Sequence, residues 1–118
     1  MKVVRISDVK PEEVVSSLFT GGKVTRQGLV GENDSKELLA SVVSFNPGAV
    51  NKFHTHTHDQ LLIITEGKGI VATESEEITV TPGTVILFPA GEKHWHGATK
   101  DSSFSHIYVI LQGSVTDF

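Results

Sequence analysis

The chain has 118 residues, a formal net charge of −4 and no cysteine. That length suits one domain, residues 1–118, with a core that needs no staples, and the missing cysteine excludes disulfides, thiolate metal sites and cysteine nucleophiles. The 10 Lys and Arg residues fall singly, which argues against nucleic acid as a partner; Met1–Asp8 lacks the apolar stretch of a secretory signal and no apolar run could cross a bilayer, so a cytoplasmic protein with no membrane partner is expected.

The first patterned segment is Pro11 to Phe19, where a proline in the first turn and Gly21-Gly22 beyond the end predict a short N-terminal helix. The rest reads as strand: Lys23 to Val30, Glu37 to Phe45, Ala49 to His54, Gln60 to Glu66, Gly69 to Glu74, Glu77 to Val80, Thr84 to Phe88, and Phe104 to Gln112. Turn-forming clusters separate many of them, among them Asn46-Pro47-Gly48, Gly67-Lys68-Gly69, Thr81-Pro82-Gly83 and Pro89-Ala90-Gly91. Short strands with almost no helix must bury their apolar faces on one another, so an all-β double-sheet barrel is predicted. In the last strand Phe104, His106, Tyr108 and Ile110 share one face and Ser103, Ser105, Ile107, Val109 and Leu111 the other. If Tyr108 and Ile110 face the interior, His106 does too, and it then needs a polar partner.

Chemistry-bearing residues concentrate around positions 54–60 and 94. His54 and His56, two apart on extended backbone, project to one face; Gln60 opens the next strand, and His94 follows the rigid turn Pro89-Ala90-Gly91. These four neutral donors can converge on one cation. Histidine is also common on exposed loops, and an affinity tag imitates such a run, but a tag would be terminal and uninterrupted. His58 extends the same parity, yet Asp59 and the change of segment place it in a solvated loop. His96 is either a proton shuttle beside the metal, an outer-face loop residue or an orienting partner of a ligand; His106 is either a shuttle or a core histidine bonded to a carbonyl. Trp95 reads as packing, and Tyr108 as a pocket wall or phenol donor.

These residues resemble the two motifs of the cupin superfamily. Gly48, His54, His56 and Gly67 match G-x5-H-x-H-x3-E-x6-G, with Gln60 in place of Glu; Gly83, Pro89, Gly91 and His94 match G-x5-P-x-G-x2-H-x3-N, with Ala98 in place of Asn. The spacer from Lys68 to Pro82 is similar to that of small microbial cupins, and the implied fold is a double-stranded β-helix, or jelly roll. Within the superfamily, His54-Thr55-His56, Gln60 and Pro89 to Ala98 look most like the bacterial cupin hydroxynitrile lyases and the carboxymuconolactone decarboxylase-associated cupins. That resemblance implies Mn(II) or Fe(II) held by His54, His56, Gln60 and His94, with His96 and His106 as pocket histidines. His58-Asp59 departs from the group, which tends to carry Leu-Gly there after a Pro at the position of Thr57, a difference that falls at the mouth of the implied pocket. A homodimer is expected from the family tendency alone.

Imidazole and carboxamide ligands leave the charge of a divalent ion uncompensated, so such a site should be a strong Lewis acid that attracts oxyanionic ligands. Four N and O ligands with two open positions suit octahedral Mn(II), Fe(II), Co(II) or Ni(II), although affinity alone would favour Cu or Zn in a purified sample. The leading expectation is a metal-dependent lyase acting on a small-molecule substrate, with His96 or His106 moving a proton during C–C bond cleavage or formation. The alternatives are an Fe(II)-dependent dioxygenase, separable by oxygen uptake, and a non-catalytic binding or sensing module, separable by His96→Ala and His106→Ala variants.

Overall fold

The computed structural model describes residues 1–118. Its strands are β1 (Glu12–Glu13), β2 (Phe19–Thr20), β3 (Val24–Val30), β4 (Leu38–Phe45), β5 (Val50–Asn51), β6 (Thr55–His56), β7 (Gln60–Gly67), β8 (Gly69–Thr73), β9 (Glu77–Val80), β10 (Val85–Phe88), β11 (His94–Ala98), β12 (Phe104–Leu111) and β13 (Thr116–Asp117). A six-stranded sheet runs β1-β3-β4-β12-β7-β10, a five-stranded sheet runs β2-β5-β11-β8-β9, and β6 pairs with β13. All pairings are antiparallel, and neighbours distant in sequence, such as β4 with β12 and β5 with β11, weave the two sheets into a jelly roll. No helix is long and apolar enough to cross a membrane.

The inner faces of the two sheets meet in a core that includes Val24, Phe45, Leu62, Ile64, Phe88 and Phe104. Phe45 and Phe104 are fully buried with ring centroids 5.9 Å apart, and each such side chain contributes about 1.5–3 kcal/mol of burial. The motif glycine Gly67 ends β7 at φ 72°, and a side chain there would collide with the Ser103 carbonyl. Gly69 has no room either, because the Phe104 ring lies against it.

Two expectations fail. Residues 11–19 form no helix: the 3-10 turn is at Ile6–Asp8, and the segment instead lies extended, pairing Glu12–Glu13 with β3 and Phe19–Thr20 with β5. A nine-residue helix with adjacent valines gains little by itself, whereas open strand edges offer backbone hydrogen bonds immediately. The second is the strand expected at Ala49 to His54, which is limited to β5 at Val50–Asn51, while residues 94–98, outside every expected strand, form β11, paired with both β5 and β8.

Candidate metal centre and its cavity

The motif residues reach one place by three routes. His54 and His94 face each other across an isolated β-bridge, with backbone hydrogen bonds of 2.9 and 3.0 Å in the two directions. His56 lies on β6, and its carbonyl accepts the Gly91 N–H at 2.8 Å, tying it to the turn before His94. Gln60 opens β7 opposite Phe88, whose ring stacks on His94 at 3.8 Å between centroids. The side-chain nitrogens of His54, His56 and His94 include one from each ring that all lie within 4.8 Å of one another, a group that could hold a metal ion.

Hydrogen bonding decides which nitrogens are free. The Nδ1 atoms of His54 and His94 lie 2.7 and 2.8 Å from the carbonyls of Lys52 and Glu92, so each must donate and leaves a lone pair on Nε2. His56 Nδ1 lies 2.9 Å from the Thr116 hydroxyl. His56 Nε2, His94 Nε2 and Gln60 Oε1 are buried without a protein partner. Buried acceptors left open together are costly unless something fills the space between them, and a cation with N and O ligands fits. Burial holds the pKa of His54 low; burial, with the neighbouring His54 charge, brings His56 to about 4, and burial likewise brings His94 to about 4. The three rings are therefore neutral near pH 7, the form that ligates metal.

A second pair of histidines lies deeper. His96, on the same face of β11 as His94, and His106 on β12 are 4 % and 1 % exposed, with ring centroids 4.9 Å apart. His96 is thus an interior residue and not an outer-face one, because the strand's two-residue period carries it inward with His94. Asn51 on β5 holds it: Asn51 Oδ1 accepts the His96 backbone N–H at 2.8 Å, and Asn51 Nδ2 lies 3.2 Å from its Nε2. His106 faces inward as the alternation predicts; neither ring nitrogen makes a well-aligned hydrogen bond, and the Ile107 backbone is the one polar group that acts on the ring as a hydrogen-bond partner. Burial pushes His106 down to about 3 and, first among several causes, His96 well below its ordinary value.

His54, His56 and Gln60 of the first group and both histidines of the second open on a cavity of about 210 Å³. Its polar side is formed by His54, His56, Gln60, His96, His106 and Asn51, and its apolar side by residues including Leu39, Val43, Phe45, Tyr108 and Ile110. None of its 16 lining residues carries an acidic or a Lys or Arg side chain. Tyr108 is among the residues that line it. His58 is in the bend between β6 and β7 and does not line the cavity. Trp95 points to the opposite face of β11, where it borders a shallow surface groove together with Val50 and Phe53.

Three contributors escaped sequence reasoning: Asn51, Thr116 and Asp59, whose carboxylate accepts the Ala90 N–H at 2.8 Å and pins the Pro89-Ala90-Gly91 turn. Asn51 left one signal, an amide inside the apolar-flanked strand run 49–54, where asparagine is disfavoured. The other two act across long sequence separations and left none.

Comparison with known proteins agrees with this geometry. Residues 41–114 match the cupin domain family. The chain is 32 % identical, over its whole length and 92 % of the relative, to an (R)-mandelonitrile lyase of Granulicella tundricola. Among solved structures, a cupin-like protein of Thermotoga maritima superposes with a TM-score of 0.83 at 32 % identity, covering 90 % of this chain and 82 % of that one. The polyketide cyclase RemF of Streptomyces resistomycificus superposes with a TM-score of 0.84 at 22 % identity over 94 % of this chain and 79 % of that one, a likeness of fold. With the family match spanning well over half of its residues, this chain belongs to the cupin family.

Proposed function

We propose that the protein is a metal-dependent lyase that makes or breaks a C–C bond in a small uncharged hydroxy or carbonyl compound, with a cyanohydrin as the test substrate. His54, His56, Gln60 and His94 would hold the divalent ion, Mn(II) or Fe(II), in keeping with their N and O donors. The observation that carries the reading is His106: a buried imidazole with no side-chain partner on either nitrogen, in the same cavity as the open donor atoms of His56 and Gln60.

Each protein group has a role that its surroundings suit. The apolar wall takes the carbon skeleton, and the absence of charged side chains favours a neutral substrate. In cyanohydrin cleavage, His106 accepts the hydroxyl proton, the C–C bond electrons leave with cyanide, and that proton returns to yield HCN and the carbonyl product. An imidazole as weakly basic as buried His106 can deprotonate only an acidified hydroxyl, and that acidification is the chemistry a bound divalent ion would supply. His96, fixed by Asn51, lies beside His106 and keeps the proton path within the cavity. The relative that is an (R)-mandelonitrile lyase supports this choice of chemistry.

The test is release of cyanide and aldehyde from mandelonitrile under anaerobic conditions by protein loaded with Mn(II). Turnover that needs the metal supports the lyase. Oxygen consumption with Fe(II) and no anaerobic turnover would replace it with the dioxygenase, and ligand binding without turnover under either condition would replace it with a binding module.

A further inference from the structure

We propose that strand β13 is a working part of the metal centre, with Thr116 acting as the positioning residue for His56; this rests on the metal reading above. The three clustered histidines are not oriented alike. His54 and His94 bond through Nδ1 to carbonyls two residues earlier in their own segments, so the chain that carries each ring also fixes it. His56 has no such local carbonyl. Its Nδ1 reaches a hydroxyl 60 positions away, the Oγ1 of Thr116, at 2.9 Å.

That hydroxyl is held in place by pairing. Thr116 lies opposite His56 and Asp117 opposite Thr55 in the β6–β13 ribbon. The Thr57 N–H donates to the Val115 carbonyl at 3.1 Å, and the Val115 N–H donates to Thr57 Oγ1 at 2.9 Å. This reciprocal clasp fixes Thr116 over the ring edge, which a freely exchanging water would not do. The same segment also walls the cavity through Ser114 and Thr116, so docking of β13 couples closure of the cavity to alignment of one ligand.

A carbonyl partner forces the Nδ1–H tautomer, but a hydroxyl can donate or accept. His56 is therefore the ligand whose tautomer depends on the orientation of a single side chain. Removal of that hydroxyl frees the ring to rotate and to populate the Nε2–H form, which cannot ligate through Nε2.

The experiment compares wild type, T116V and T116S in two measurements. Long-range ¹H–¹⁵N NMR on metal-free protein reads the His56 tautomer, and chelator competition reads Mn(II) affinity. Wild type and T116S are expected to hold His56 as Nδ1–H, whereas T116V shows a mixture and binds Mn(II) about 10–100-fold more weakly. If T116V keeps both the wild-type tautomer and the wild-type affinity, Thr116 has no positioning role. If wild type binds no Mn(II) but the tautomer still shifts in T116V, the Thr116 latch stands and the metal reading falls.

Discussion

The cavity contains two groups of histidines that are furnished in opposite ways. Around His54, His56 and His94, every Nδ1 has a hydrogen-bond partner and the Nε2 atoms of His56 and His94 are left bare. Deeper in, His96 is gripped by Asn51, while His106 has no side-chain partner and only the Ile107 backbone beside it. An imidazole oriented through one nitrogen is dressed to donate a lone pair in a fixed direction. One with both nitrogens open is dressed to take and return a proton. The same residue type would thus serve the two proposed tasks because the neighbouring acceptors differ.

The largest effect that separates the two groups should come from single replacements. His94→Ala is expected to abolish measurable Mn(II) binding and turnover together. His106→Ala should keep the affinity and lose turnover by about 10²–10⁴-fold, as for a general base. Calorimetric metal binding and steady-state kinetics on both variants check this, and loss of metal in His106→Ala would merge the two groups into one.

Acid should act on both groups when metal is absent. Burial holds His56 and His94 at about 4 and His106 at about 3, with His54 and His96 also lowered, so the unfolded chain takes up protons first. Stability is then full above about pH 6.5 and is lost progressively as the pH falls from there toward the native values, at up to about 1.4 kcal/mol per pH unit for each fully buried ring. Thermal unfolding of chelated protein at pH 7 and pH 5 measures it. Equal melting temperatures would contradict the neutral, buried assignment.

A smaller effect sharpens the inner pair. Asn51→Ala removes the acceptor of the buried His96 N–H and should cost about 1–3 kcal/mol in denaturant unfolding, with little change in metal affinity. An equal loss of metal affinity would show that Asn51 supports the outer cluster as well.

What the sequence reveals follows from how far apart the interacting residues lie. His54, His56 and Gln60 are legible because strand periodicity and one short segment place them, and His106 because β12 alternates over its length. Asn51 meets His96 across 45 positions, Asp59 meets Ala90 across 31 and Thr116 meets His56 across 60, and no local pattern encodes such encounters. The helix expected at residues 11–19 fails for the same reason, since the competing partners of that segment, β3 and β5, come later in the chain.

Asp59 and the His54–His94 bridge have a consequence for how ions are chosen. Together they cross-tie the segment bearing His54, His56 and Gln60 to the one bearing His94, independently of anything held between them. If a divalent ion is held there as proposed, a cage braced in this way would lose little disorder on taking it up. Selection among the ions proposed for it would then turn on radius and supply rather than on a folding event.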